Sequence, residues 1–368
     1  MLIGPGTVPV SPCYGDAWPP GEDADDGRVG DHRGLLRPPL VLDGPGEQVT
    51  ALKPHGYGFY LYAPKADPFL RRRWREAHPA AEHAQMSKLA AHCAAEGVRF
   101  GVGLSPYELY LDFGPEAKAA LADKLAELDA AGVHDLAILF DDMRGDVDGL
   151  ARDQVEILHW IAERSRAERL IFCPTYYSDD PVLDAVFGAR PAGYLEDLGR
   201  DLDPAIEMFW TGEEVCSAAY SPGHLERVAG VMRRKPILWD NYPVNDGPRM
   251  CPFLHVRGMI GRPASLAPHL AGHAVNPALQ PVLSRIPLIT LAHSYAQGDA
   301  YEYARSTRAA AREVLGEELG DLTLRNLMWL QDLAATGWRN QPSACAAGSG
   351  PSTIRAPARS SPGWTATM

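Results

Sequence analysis

The most constraining feature of this sequence is a regular alternation of short apolar runs with longer segments of helical periodicity. Seven such runs predict strands, at 57–62, 98–104, 136–140, 169–173, 207–210, 236–239 and 270–275. Helices are predicted among them at 80–96, 115–131, 147–168, 222–233 and 279–295. Strands and helices that alternate at a spacing of roughly 35 residues predict an α/β fold, namely a parallel (β/α)8 barrel of the TIM type.

A barrel of this kind requires an eighth strand, which we expect before residue 56, around residues 7–14. The alternative arrangement of the same elements is a doubly wound open sheet. No GxGxxG motif follows the first predicted strand, and polar or aromatic residues follow nearly every strand rather than one switch point. Both observations favour the barrel.

Changes in composition divide the chain into four parts. Residues 1–55 are dominated by Gly, Pro and Asp, which predicts an irregular N-terminal segment with room for a degenerate first barrel strand. Residues 56–303 form the predicted catalytic barrel, and residues 304–339 hold C-terminal helices at 306–315 and 322–335. Residues 340–368, rich in Ser, Ala, Pro and Gly, predict a disordered tail.

The fourth predicted strand ends in two adjacent carboxylates, Asp141 and Asp142, in the stretch LAILFDDMR. In parallel α/β folds, ligands bind at the carboxyl ends of the strands, so both acids are placed where chemistry is expected. Consecutive strand residues point to opposite faces, so the acids can share one pocket only if the strand ends there. The alternative is that Asp142 caps the next helix and Asp141 is exposed at the start of a loop.

Other polar and aromatic residues follow the remaining strands at the same predicted end of the barrel. Together with the two acids, the candidate site residues are Lys65, Asp141, Asp142, Tyr177, Trp239, Asn241, Asp246 and Asn276. Such a set suits a sugar, because hydroxyls need paired donors and acceptors and a pyranose face needs an aromatic wall. Each residue taken alone also has a structural explanation, as a solvated loop lysine, a core aromatic or a turn-forming Asx residue.

Composition excludes several classes of partner. A net charge of −12 argues against nucleic acid, and no run approaches the length of a membrane span, so no membrane partner is expected. The six cysteines form no CxxC pair, so neither a metal site nor a disulfide framework is indicated, and no cofactor is expected. The first residues show no secretory signal, which predicts a cytoplasmic protein, with export left open if the start is misassigned.

Several segments resemble family 84 of the glycoside hydrolases, the β-N-acetylglucosaminidases of the O-GlcNAcase type, some of them once called hyaluronidases. The matching segments occur in family order across residues 56–303: YLYAPKADP with the following RRRWREAHP, FDDM, FCPTYY, FWTG, PILWDNYPVND and VNPALQPVL. Several segments in the right order are far more specific than any one of them.

The resemblance implies a catalytic (β/α)8 barrel that hydrolyses its substrate with retention through an oxazoline, the nucleophile being the sugar's own 2-acetamido oxygen. It implies that Asp141 orients the acetamide and that Asp142 is the general acid and base. Tyr177 would hydrogen-bond the acetamide oxygen, Trp239 would wall the pocket and Asn241 would contact the reacting region. Ring hydroxyls would be held by Lys65, Asp246 and Asn276.

This chain departs from the family pattern at the first strand. Pro12 stands where the family has a glycine, and Cys13, Tyr14, Gly15 and Trp18 follow it. Because proline cannot donate a hydrogen bond to a strand ladder, we expect a degenerate first strand unit. The composition between Trp18 and Lys65 predicts no helix there.

The leading hypothesis is therefore a retaining β-N-acetylglucosaminidase acting on a glycan or glycoprotein that carries terminal N-acetylglucosamine. One alternative is a hydrolase of glycosaminoglycan or another N-acetylhexosaminide on the same core. Another is an inactive barrel that only binds sugar. The sequence does not indicate the aglycone or the oligomeric state.

Overall fold

A computed structural model of the protein describes residues 10–14, 43–246 and 250–333. Its eight strands form a closed barrel in sequence order, with every neighbouring pair parallel. They are β1 Val10–Tyr14, β2 Phe59–Tyr62, β3 Arg99–Leu104, β4 Asp135–Leu139, β5 Arg169–Cys173, β6 Glu207–Trp210, β7 Ile237–Asp240 and β8 Gly272–Val275. The predicted (β/α)8 class is confirmed, and each of the seven predicted strands overlaps an observed one.

Strand β1 completes the ring. Cys13 and Tyr14 lie in register with Leu61 and Tyr62 of β2, while Val10, Ser11 and Pro12 lie in register with residues 273–275 of β8. The expected first strand around residues 7–14 is therefore present, with its proline in the middle.

The strands are apolar along nearly their whole length because helices cover the barrel on the outside. Every residue of β2, β4, β7 and β8 is buried. At the amino end of β4 the buried Asp135 pairs with Arg99 of β3 and Arg169 of β5. Charge pairing thus occupies this end of the barrel, and the carboxyl ends of the strands remain for the pocket described below.

Helices follow the strands around the barrel, and several of them begin or end at residues suited to those positions. They are α1 Asp43–Leu52, α2 Ala80–Ala95, α3 Pro115–Ala130, α4 Leu150–Ala162, α5 Val182–Phe187, α6 Tyr194–Asp201, α7 Pro222–Met232 and α8 Pro281–Gln297. Proline occupies the first turn of α3, α7 and α8, where its missing N–H costs nothing. Gly97 and Gly132, after α2 and α3, have φ of 64° and 84°, the left-handed conformation that ends a helix.

Helix α1 differs from the sequence prediction, which placed an irregular segment there. Its residues DGPGEQVTAL include two glycines and a proline, so their intrinsic helix propensity is poor. Val49 and Leu52 are nevertheless buried, and Gln48 donates a hydrogen bond from Nε2 to the carbonyl oxygen of Pro281, at the start of α8. Tertiary packing therefore stabilises a helix that local sequence does not predict.

Smaller differences occur elsewhere. Helix α4 is shorter than the predicted 147–168, and α5 and α6, between β5 and β6, were not predicted. Beyond the barrel lie α9 Tyr303–Leu315, α10 Glu317–Arg325 and α11 Leu327–Asp332, where the sequence predicted helices at 306–315 and 322–335. The predicted disordered tail at 340–368 lies outside the described residues. Within those residues no helix is both long enough and apolar enough to cross a membrane.

Candidate active site

The two adjacent acids converge on one point. Strand β4 ends at Leu139, and Asp142 has a φ of 53°, so its backbone is in the left-handed region rather than extended. The alternation that would send neighbouring side chains to opposite faces is broken there. Lys65 Nζ lies 3.2 Å from Asp141 Oδ2 and also donates a hydrogen bond to Asp142 Oδ2. One ammonium group reaches both carboxylates, so both acids face the same space.

The two acids are equally buried but differ in their hydrogen bonds. Asp141 is 8% exposed and Asp142 is 7% exposed. Asp142 accepts hydrogen bonds at both oxygens, since the Tyr177 hydroxyl donates to its Oδ1 at 3.3 Å. Asp141 Oδ1 is buried and has no hydrogen-bond partner among the described residues. Asp141 therefore keeps an acceptor that a ligand can satisfy.

The hydroxyl of Tyr177 stays protonated. Burial, followed by the negative charge of Asp141, raises the pKa of Tyr177 well above its ordinary value. The hydroxyl is therefore a hydrogen-bond donor throughout the range in which proteins are normally stable. It projects from the segment that follows β5.

An open pocket lies beside these groups, with about 330 Å³ of empty space that includes solvent at its mouth. It is lined by Lys65, Asp141, Cys173, Tyr177, Thr211, Trp239, Asn241 and Asn276. Trp239, at the end of β7, forms one wall, and its ring meets that of Phe209 edge to face with centroids 4.8 Å apart. This contact fixes the plane that the indole offers to a ligand.

The amide side of the pocket is held by hydrogen bonds. Asn241 donates from Nδ2 to the carbonyl oxygen of Val215 at 2.8 Å, and its Oδ1 accepts from Asn276 Nδ2 at 3.1 Å. The backbone N–H of Asn276 donates to the carbonyl oxygen of Asp240 at 2.9 Å, which joins β7 to β8 at this level. The two amides are thus oriented before any ligand arrives.

The structure brings together seven of the eight candidate residues. The eighth, Asp246, is buried in the loop after β7 but does not line the pocket. Asp142 is outside the lining as well, but it contacts Lys65 and Tyr177 directly.

Sequence reasoning missed the buried ion pair beneath the amides. Arg262 donates two hydrogen bonds to Asp240, from Nε at 2.8 Å and from an NH2 group at 2.7 Å, and His273 Nε2 lies 3.2 Å from the same carboxylate. Burial raises the pKa of Asp240, but Arg262 and His273 outweigh burial and hold it well below its ordinary value. Asp240 was visible as a polar residue at a strand end, whereas nothing in the sequence around Arg262 marks it as a partner.

Arg262 also ties the pocket loops together. It donates to the carbonyl oxygens of Ser217 and Ala218, which are close in sequence to Val215, whose carbonyl oxygen Asn241 contacts.

In the part of the chain that the structure describes, no group of three or more His, Cys, Asp or Glu residues could hold a metal ion.

Two carboxylates, a phenol, an indole wall and paired amides at the carboxyl end of a (β/α)8 barrel form a site suited to a sugar, as a glycoside hydrolase of the barrel type requires. Comparison with known proteins makes this class specific. A family model described as beta-N-acetylglucosaminidase matches residues 46–328, and the chain belongs to this family. The family resemblance inferred from the sequence is thereby confirmed.

Individual relatives agree with the family. The chain is 29% identical over 271 residues to Protein O-GlcNAcase of Rattus norvegicus, a match that covers 71% of this chain and 29% of the relative, and the values for Protein O-GlcNAcase of Mus musculus are the same. The solved structure of a mutant O-GlcNAc hydrolase of Thermobaculum terrenum superposes with a TM-score of 0.72 at 27% identity, covering 88% of this chain and 66% of that one. The chain thus spans about 29% of the length of the curated relatives it matches.

Proposed function

We propose that the protein is a retaining β-N-acetylglucosaminidase that removes terminal β-linked N-acetylglucosamine from a glycan or glycoprotein through an oxazoline intermediate. The observation that carries this proposal is the convergence of Asp141 and Asp142 on one cation at the pocket. Two acids that face one space can divide the work of orienting the substrate and transferring a proton. The O-GlcNAcase names of the relatives support the choice of sugar.

Asp141 is assigned to the acetamido group. Its buried Oδ1, which has no partner among the residues described, would accept the acetamide N–H. That hydrogen bond orients the acetamide and makes its carbonyl oxygen a better nucleophile for attack on the anomeric carbon. The enzyme then needs no covalent nucleophile of its own, as in other substrate-assisted families.

Asp142 is assigned to proton transfer. It would donate a proton to the leaving oxygen as the acetamide attacks, and would take a proton from the water that later opens the oxazoline. Tyr177, whose hydroxyl donates to Asp142 Oδ1, would donate instead to the acetamide oxygen of a bound sugar. Trp239 would cover the apolar face of the ring, and Asn241 would contact the reacting region.

Lys65 is assigned to a ring hydroxyl. Its ammonium lies at the pocket, 3.2 Å from Asp141 Oδ2 and in contact with Asp142 Oδ2. From this position it would donate to a ring hydroxyl, and Asn276 would hold a second one. Asp246, predicted from the sequence to hold another hydroxyl, does not line the pocket, so its role stays a prediction.

The decisive experiment measures turnover of 4-nitrophenyl and simple alkyl N-acetyl-β-glucosaminides by Asp141→Asn and Asp142→Asn variants. Asp142→Asn should lose about 10²- to 10⁴-fold in kcat/KM on the alkyl glycoside, whose leaving group needs a proton, and much less on the 4-nitrophenyl glycoside. Asp141→Asn should lose activity on both substrates, because the acetamide nucleophile is no longer oriented. Asp148→Asn, an exposed carboxylate in the same loop, is the matched control and should keep wild-type activity.

Full activity of Asp142→Asn on the alkyl glycoside would refute the assignment of the acid. If the wild-type protein binds N-acetylglucosamine without turning over either glycoside, the barrel is a sugar-binding protein and not a hydrolase.

A further inference from the structure

The backbone at Asp142 is in a conformation that needs support. A φ of 53° is disfavoured for any residue with a Cβ, and aspartate tolerates it better than most residues but does not prefer it. Nonetheless this conformation allows Asp142 to face the same space as Asp141. Contacts that hold the backbone of Asp142 therefore hold the position of its carboxylate.

Arg71 supplies such a contact. Its NH2 group donates a hydrogen bond to the main-chain carbonyl oxygen of Asp142 at 3.3 Å, across 71 residues of sequence. We propose that Arg71 is a positioning residue that keeps Asp142 in the left-handed conformation required for proton transfer. This inference rests on the proposed function, because it assumes that Asp142 is the general acid.

The guanidinium of Arg71 is itself held in place. It lies 5.8 Å from the centroid of the Tyr107 ring, and the carbonyl oxygen of the preceding residue, Leu70, accepts a hydrogen bond from the N–H of Ser105 at 2.7 Å. The segment after β2 is thus pinned to the segment after β3 right beside Arg71. Because the segment that carries Arg71 is held in place, the hydrogen bond from Arg71 can restrain the carbonyl oxygen of Asp142.

The segment after β2 carries both Lys65 and Arg71, and each of them contacts Asp142. Lys65 contacts the carboxylates and Arg71 contacts the main chain, so the segment after β2 restrains both the side chain and the backbone of Asp142. The rest of the turn has other anchors: the Tyr110 hydroxyl donates to the carbonyl oxygen of Arg144, and the N–H of Gly145 donates to that of Phe187. Removal of Arg71 should therefore release Asp142 without unfolding the turn.

One more observation supports a role at the site rather than in the core. Arg71 NH1 is buried and has no hydrogen-bond partner among the described residues. A buried donor without a partner is costly, and a bound ligand is one group that could satisfy it. Arg71 lines a second, smaller cavity, which shares Lys65, Asp141 and Trp239 with the pocket of the proposed site.

The test compares Arg71→Met and Arg71→Lys with Arg72→Met. Arg72 stacks on the same Tyr107 ring at 4.5 Å, so its variant removes a ring contact without removing the bond to Asp142. We expect Arg71→Met to lower kcat/KM about 10- to 100-fold on an alkyl N-acetyl-β-glucosaminide but less than about 3-fold on the 4-nitrophenyl glycoside, because only the first depends on a placed acid. Arg71→Lys should fall between wild type and Arg71→Met, and Arg72→Met should resemble wild type.

An equal loss on both substrates would show that Arg71 acts on the whole site, and no loss on either would show that its hydrogen bond is not needed; each result overturns the inference. Asp142→Asn is measured in parallel. If Asp142→Asn keeps its activity on the alkyl glycoside, the proposed function fails, whereas if it loses that activity and Arg71→Met does not, only this inference fails.

Discussion

Tyr176 and Tyr177 are adjacent, and their hydroxyls have different partners. Tyr177 donates to Asp142 Oδ1, whereas Tyr176 donates to the carbonyl oxygen of Gly188 at 2.7 Å, away from the acids. Both rings pack near Phe187, so replacement of either by phenylalanine should preserve the apolar contacts. The pair therefore separates the role of a hydroxyl at the pocket from the role of a buried ring.

We predict that Tyr177→Phe lowers kcat/KM for N-acetylglucosaminides by about 10²-fold. A loss of this size is expected when one preorganised hydrogen-bond donor to a developing charge is removed. Tyr176→Phe should stay within a few-fold of wild type. Steady-state kinetics of the two variants, with urea denaturation to compare their stabilities, would check this. Equal effects of the two substitutions would mean that the Tyr177 hydroxyl has no special role.

At the scale of residues, the sequence indicated which side chains lie together at the site, but not which contacts hold them there. The apolar run 136–140 ending in two acids predicted a site at a strand end. Asp141 lines the pocket there, and Asp142 contacts two residues of its lining, Lys65 and Tyr177. The left-handed backbone of Asp142 depends on contacts with distant segments, so no local pattern could predict it. The catalytic roles themselves remain predictions.

Among the elements, the long connection between β7 and β8 supports the amide side of the site. It carries Arg262, whose side chain is almost fully buried against Asp240 and reaches the loop after β6. The strands themselves were predictable because burial on both faces demands apolar runs. Helix α1 and the ion pair were not, because each depends on long-range packing that overrides local preference.

We predict that Arg262→Met lowers the free energy of unfolding by about 3 to 5 kcal/mol, because it leaves the Asp240 carboxylate buried and largely uncompensated. Arg257 is the matched control. It lies in the same connection and pairs with Asp332, but both side chains are partly exposed, so Arg257→Met should cost less than about 1 kcal/mol. Urea denaturation of both variants measures the difference, and similar losses would contradict the importance of the buried pair.

For the molecule as a whole, a second buried polar cluster joins the segment after β2 to helix α3. His78 Nδ1 lies 2.6 Å from Glu127 Oε1 and its Nε2 lies 3.3 Å from Asp67 Oδ2, while Lys124 Nζ lies 2.6 Å from Glu127 Oε2. Burial lowers the pKa of His78, but the hydrogen bonds to Asp67 and Glu127 outweigh it and raise the pKa to about 9. The folded protein therefore binds a proton here that the unfolded chain releases near pH 6.5.

This difference makes global stability depend on pH. The contribution of His78 should be complete below pH 6.5 and should be lost as pH rises through about 9, since the pKa is higher in the folded state. The loss should reach up to about 3 kcal/mol and should be absent in His78→Gln. Urea denaturation at pH 6 and pH 9.5 measures it, and an unchanged fall in the variant would assign the effect to another group.

The barrel class was predictable because strand and helix periods alternate along the chain and polar residues follow the strands. Closure was harder to predict, because Pro12 makes the first strand look unsuited to a ladder, yet Pro12 lies in register with Val275. This segment completes the ring by pairing with β2 and β8, which are far apart in sequence, so no local pattern predicts the closure.

Within the part of the chain that is described, strand β1, five residues long, leaves no open sheet edge at which strands of other molecules could pair. Paired on one side with β2 and on the other with β8, it leaves no described strand with an open flank. Without it, two rows of main-chain N–H and C=O groups would face water, and such rows act as templates on which strands of other chains assemble. We therefore expect resistance to aggregation to depend on a segment whose composition is not typical of a strand.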